Sequence, residues 1–182
     1  MDRRILKTRN AIYDAFCKLI IRNDYNKITI QDIINEANIG RSTFYEHFET
    51  KDNLLDSLCI RTFDHIFHPD DDADCVYQSN TFKEKIIHIL YHLLEIKDVL
   101  KGILRSEGHD IFLNHLRRNI EEIVEKLPYN DPLVPIEFLA NHVSGSFIET
   151  VTYWAKKDFI YSPDQLGEYF IKVLPSNFLN EI

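Results

Sequence analysis

Cysteine, glycine and proline are all scarce in this chain of 182 residues: three, five and six. So few turn-formers argue against a turn-rich all-β fold. Cys17, Cys59 and Cys75 are an odd number with no CxxC pair. They build neither a disulfide framework nor a zinc site, and they suit a reducing compartment. No apolar run approaches the roughly 18 residues that would cross a bilayer. The N-terminus is charged from residue 2 and lacks the apolar stretch of a signal peptide. A cytoplasmic protein with no membrane partner is the expectation. Aromatic residues are plentiful at 12% beside 45% hydrophobic residues, which argues against disorder. The length suits one large domain or two small ones.

Net charge is −8, which by itself speaks against a nucleic-acid partner. Its distribution says more. Residues 1–61 carry 10 Lys/Arg and 9 Asp/Glu, while the remainder carries 11 and 20. Arg3, Arg4, Lys7 and Arg9 make the first nine residues basic. A near-neutral front and an acidic back suggest two parts with different partners.

Apolar residues recur at three- and four-residue steps almost throughout. Helices are expected at 4–22, 29–37, 41–48, 51–67, 80–96, 98–105, 109–126, 136–157 and 164–174. Thr29 reads as an N-cap with Asp32 three residues on. Asn38-Ile39-Gly40 reads as a turn. Pro69 to Asp74 holds four Asp in five positions but lacks the alternation, glycine and distal Glu of a calcium loop. It reads as a solvated connector. No strand alternation and no repeat is evident, so the expected fold is all-α: about nine helices, the first three forming a helix-turn-helix domain over 1–50, with a helical bundle over 51–182.

Two short helices joined at 38–40 form a helix-turn-helix pattern, whose second helix enters the major groove. That helix opens on Arg41-Ser42-Thr43. Arg41 can donate two bonds to a guanine. Ser42 and Thr43 are small and hydroxylated, so the helix can sit close to base edges. Phe44 and Phe48, four apart, face inward. Tyr45 and His47 are polar-tipped rings suited to phosphate. Lys51 opens the next helix, where backbone N–H groups already favour an anion.

Thr29-Ile30-Gln31-Asp32-Ile33, Ala37, Arg41-Ser42-Thr43-Phe44-Tyr45-Glu46-His47-Phe48 and Lys51-Asp52-Asn53-Leu54-Leu55 together resemble the N-terminal domain of the TetR family of bacterial transcriptional regulators. The likeness covers about residues 5–55. Gly40 stands where many members have a Ser cap. The resemblance implies a homodimer on a near-palindromic, double-stranded DNA operator, usually a repressor released by a small molecule. It further implies phosphate-side contacts from Thr29, Gln31, Tyr45, His47 and Lys51, and base contacts from Arg41, Ser42 and Thr43. The basic arm would add phosphate or minor-groove contacts, or else fray into solvent.

Gly102, Gly108, Gly145-Ser146, Trp154 and Ser162-Pro163-Asp164-Gln165-Leu166 look like the C-terminal domain common among Firmicutes members. Helix 136–157, with His142, Val143, Ser144, Gly145, Ser146, Phe147 and Val151, is the expected dimer helix, joined by Tyr169, Phe170, Val173 and Leu174. The alternative is that these residues pack within one protomer. A small hydrophobic effector would sit among Phe63, Phe67, Tyr91, Leu94, Leu104, Phe112, Phe147 and Trp154, each of which also reads as plain core.

His88 and His92 are four apart and His65 and His68 three apart, but no HExxH Glu and no third ligand is placed. No metal and no cofactor is expected. With no Gly-rich phosphate loop and no nucleophile elbow, an enzyme is not expected either. The second functional reading is a co-regulator that has lost operator binding and acts through a protein partner. Arg41, Tyr45, His47 and Lys51 weigh against it.

Overall fold

A computed structural model describes residues 3–67, 81–129 and 133–174. The acidic run at 69–74, His68 and Cys75 lie outside the described residues. Within them there are nine α-helices and no strand: α1 (Arg3–Arg22), α2 (Ile30–Ala37), α3 (Arg41–Tyr45), α4 (Lys51–Phe67), α5 (Phe82–Glu95), α6 (Lys97–Leu104), α7 (His109–Glu125), α8 (Ile136–Lys156) and α9 (Pro163–Val173). The all-α reading holds. Two differences are local. Tyr25–Lys27, a polar break in the sequence, is a 3₁₀ turn capped by Asp24. The third helix ends at Tyr45 rather than Phe48. Its chain still turns tightly there, with Phe48 N–H bonded to Phe44 O at 3.0 Å.

Helix starts are written in side chains. Three helices open on reciprocal capping boxes: Thr29 with Asp32, Thr81 with Glu84, and Ser162 with Gln165. Each satisfies two N–H groups that the first turn leaves without a helical partner. Thr50 does half of this for α4, accepting from Asn53 N–H at 3.0 Å.

The helices divide into two compact units. The first comprises residues 1–61 and 98–112. Its core is Ile12, Phe16, Ile20, Tyr25, Ile33, Phe44, Phe48, Leu54 and Leu55, all buried. Leu100, Ile103 and Phe112 are buried too. Each such side chain contributes about 1.5–3 kcal/mol by leaving water. Glycine decides how closely α6 approaches α1. A Cβ on Gly102 would stand 2.6 Å from Ile20 Cγ2 and 2.8 Å from the Ile20 carbonyl oxygen. One on Gly108 would meet Leu55 Cδ2 at 2.7 Å and the Tyr25 ring at 3.0 Å. Glu107 N–H donates to Asn26 Oδ1 at 3.1 Å.

The second unit comprises residues 62–97 and 113–182. Its described core includes Phe63, Phe82, Ile86, Leu90, Leu116, Ile120, Val143, Phe147, Val151, Trp154 and Phe170. Phe147 meets Phe170 edge-on at 5.2 Å. Trp154 Nε1 donates to Tyr161 O at 3.0 Å, so the deepest indole has its partner. Lys83 pairs with Glu168, and Tyr91 donates to Asp164, tying α5 to α9.

Gly102→Ala tests the α6 approach. Inside an exposed helix this change gains up to about 1 kcal/mol. Here the new methyl meets backbone, so a loss of about 1–3 kcal/mol is expected in urea unfolding. A gain would show that α6 does not press on α1 in solution.

Candidate nucleic-acid interface

The turn between α2 and α3 is built by one residue of positive φ. Asn38, at φ 51° and ψ 51°, is left-handed and reverses the chain. Asn tolerates this conformation better than most side chains. Ile39 N–H then reaches back to Ile34 O at 3.2 Å, closing the helix end. Gly40 caps α3 in extended conformation without a side-chain bond. An added Cβ there would find Thr43 Oγ1 at 3.6 Å, an ordinary contact.

Helix α3 has five residues, too few to be stable alone. Phe44 and Phe48, 0% and 2% exposed, anchor it. Their ring centroids lie 6.0 Å apart. With Phe44 inside, Arg41, Ser42 and Tyr45 face solvent, and Thr43 is half-buried. The Arg41 guanidinium lies 5.7 Å above the Tyr45 ring, and Tyr45 sets its edge on Phe44. These two long side chains are thereby partly ordered before any ligand arrives.

The flanking residues are held more tightly. Thr29 accepts from Asp32 N–H at 3.2 Å and donates to Asp32 Oδ2 at 2.7 Å. That hydroxyl bond, and the Thr29 N–H behind it, hold the Asp32 carboxyl below its ordinary value. Exposed Gln31 donates to Asn35 Oδ1 at 2.9 Å. His47 is half-buried with its ring beside Phe48. Lys51 is half-buried, donates to Tyr25 O at 2.8 Å and sits 4.2 Å from the Tyr25 ring centre. One of its three N–H bonds is therefore spent inside the protein. Tyr25 in turn donates to Asp52 Oδ1 at 2.8 Å. Burial first, then that bond, pushes the phenol pKa up.

Tyr25 is a positioning residue that sequence reasoning missed, as it sat in a polar break. The first turns of α1 also differ from a loose arm. Residues 3–9 are helical. Arg3, Arg4 and Lys7 are exposed, whereas Arg9 turns inward. It donates to Tyr13 Oη at 2.9 Å and Ser57 Oγ at 2.8 Å, with its guanidinium 5.3 Å from the Phe48 ring centre. It braces the same aromatic that anchors α3.

The side chains expected around an effector fall in both units. Leu104 and Phe112 belong to the first; Phe63, Phe67, Tyr91, Leu94, Phe147 and Trp154 belong to the second. Phe147 and Trp154 are completely buried, Phe63 nearly so, and the rest of the second group half-buried. On the expected dimer helix, Val143, Ser144, Phe147 and Val151 are buried within the protomer. Ser144 donates to Glu121 and accepts from Arg117. The exposed apolar side chains nearby are Phe138, Tyr153, Ile160, Tyr169 and Val173. Burial raises the Cys17 thiol to about 11 and the Cys59 thiol to about 12, so neither is a nucleophile at neutral pH.

Comparison with known proteins places the fold among transcriptional regulators. Residues 12–58 match the family model for bacterial regulatory proteins, tetR family, and residues 80–176 match a transcriptional regulator C-terminal region. A TetR transcriptional regulator from Streptococcus agalactiae 2603V superposes with a TM-score of 0.71 at 37% identity, covering 94% of this chain and 95% of that one. The dihydroxyacetone kinase operon activator DhaS superposes at 0.70 with 19% identity, over 96% of each chain, a likeness of fold. The uncharacterized HTH-type transcriptional regulator YxbF of Bacillus subtilis (strain 168) is 27% identical over 96% of this chain and 46% of its own length. The chain thus spans about half of that curated relative, or less of the others it matches.

Thr29→Ala removes the α2 cap and is expected to cost about 1 kcal/mol in urea unfolding. Asp32→Asn tests the pH dependence. A carboxyl held below 3.8 when folded stabilises above that pH and loses its effect as pH falls through the lowered value. The variant should flatten the acid limb of the stability curve; an unchanged limb would show the cap is not ionic.

Proposed function

This chain belongs to the TetR family of bacterial transcriptional regulators, and from that premise we propose that it is a homodimeric repressor of a near-palindromic operator. The carrying observation is the outward display of Arg41, Ser42 and Tyr45, with half-buried Thr43 beside them, on a helix pinned from behind by Phe44 and Phe48. In this reading Arg41 reads a guanine, and Ser42 and Thr43 touch base edges. Thr29, Gln31, Tyr45, His47 and Lys51 hold phosphates and set register without reading sequence. Lys51 keeps two donors beyond its bond to Tyr25, enough to share a phosphate oxygen. The near-neutral charge of residues 1–61 supplies little non-specific attraction, so affinity rests on shape and local contacts.

Domain roles follow the division drawn from the sequence: operator binding by residues 1–50, dimerisation and control by 51–182. Dimerisation is supported by the apolar surface of exposed Phe138, Tyr153, Ile160, Tyr169 and Val173, which a second protomer would take out of water. An isologous pairing would cover it twice over. Release by a small hydrophobic effector in the second unit is supported by its aromatic interior. A solved FadR from Bacillus subtilis, 22% identical, was crystallised in complex with stearoyl-CoA.

Selection of genomic fragments at about physiological salt tests operator binding. Tyr45→Ala should weaken every selected site. Arg41→Ala should cost about 1–3 kcal/mol and relax one base position. No enrichment over random DNA, with both variants equal to wild type, would sink the operator reading in favour of a protein-binding co-regulator. In sedimentation, Tyr169→Glu with Val173→Glu should convert dimer to monomer; an unshifted dimer would place the interface elsewhere.

A further inference from the structure

The outer face of α8 carries charge as well as apolar surface. Phe138, His142, Gly145, Glu149 and Tyr153 recur along that helix at the three- and four-residue steps that set side chains in one stripe. All five are exposed or half-buried, while Val143, Phe147 and Val151 are buried on the opposite side. Gly145 is the low point of the stripe. A Cβ added there would meet, among the described residues, only Arg117 Nη1 of α7, at 3.7 Å. A glycine inside a helix costs stability relative to alanine; here it leaves backbone that another helix can approach.

Arg117 is half-buried beside that glycine. Its Nη1 donates to Ser144 Oγ at a long 3.5 Å. Ser144 is fully buried and gives its own proton to Glu121 Oε1 at 3.1 Å or to Asn141 O at 3.0 Å. Among the described residues the guanidinium makes no other hydrogen bond and no ion pair. Its fork of N–H donors is therefore largely unspent on the protein at the edge of the stripe. Glu149, one turn along α8 from Gly145, is exposed and has no ion pair among the described residues either.

From residue 62 on, the chain holds 11 Lys/Arg and 20 Asp/Glu. Two such units repel at a distance, so a contact between them must bring cation to carboxylate. A two-fold axis sets residue i on j and j on i, so one Arg–Glu pair forms twice. Resting on the homodimer reading, we propose that the outer face of α8 is the seam between two copies of this chain. The helices approach at Gly145, and Arg117 of each copy takes Glu149 of the other. The planar fork of an arginine suits a carboxylate better than a lysine would. Phe138 and Tyr153 flank the pair on the same stripe and leave water as the helices meet.

Sedimentation equilibrium of the full chain at about physiological salt tests the seam, with circular dichroism to show that each variant is folded. Arg117→Glu and Glu149→Arg should each weaken the dimer at least about a hundredfold, since each sets like charges together twice. An equal mixture of the two folded variants should dimerise like wild type, because both cross pairs return with their signs exchanged. A pair formed within one chain cannot be restored by mixing. Glu149 is exposed, so Glu149→Arg reads the seam even where Arg117→Glu disturbs the Ser144 contact. The same charge changes at Arg118→Glu and Glu125→Arg should leave the dimer as it is. A dimer indifferent to Glu149→Arg, or a mixture of folded variants that stays monomeric, would overturn the Arg117–Glu149 seam and leave the dimer reading standing. A monomeric wild-type chain would sink both.

Discussion

The burial of Phe44 and Phe48 is the constraint on which the surface that displays Arg41, Ser42 and Tyr45 depends. A helix of five residues cannot pay its own nucleation cost. It exists because two aromatic rings, spaced for one face, leave water on the inner side of α3. Once they are inside, the directions of Arg41, Ser42 and Tyr45 follow from helical geometry alone. Arg9 extends the same anchor from behind, its guanidinium against Phe48 and its N–H groups on Tyr13 and Ser57. A basic residue in the first turns of α1 thereby packs behind α3.

A second dependence runs through Tyr25. Its ring packs against Lys51, its carbonyl accepts from that ammonium, and its hydroxyl donates to Asp52. Gly108 leaves room for the ring to approach the turn before α7. The start of α4 is thus set by a residue in a short 3₁₀ turn, together with the Thr50 cap. Pre-ordering of this kind lowers the entropy lost when a rigid ligand such as duplex DNA docks.

The second unit handles its polar groups differently. Trp154, Ser144 and His88 are deeply buried, and each has a hydrogen-bond partner. Burial without a partner would cost several kcal/mol apiece. Such partnered polar groups restrict how a helical bundle can repack. The aromatic side chains that suit an effector are also what fills this core, so composition alone could not separate pocket from packing.

The helices, their approximate ends, the α2–α3 turn and the identity of the outward residues on α3 were legible in the sequence. All rest on local signals: apolar spacing, a Thr cap, an Asn-Ile-Gly turn and the Phe44–Phe48 interval, each confined to a few consecutive residues. Only the tertiary structure decided that Arg9 turns inward, that Lys51 is tied to Tyr25, that residues 98–112 pack with the first unit and that His65 reaches His92. The Lys51, Arg9 and Glu107 contacts join residues 26, 48 and 81 positions apart. Pairings at that separation leave no period in the chain. They are chosen by which helix faces pack together, and by where a glycine lets two backbones meet.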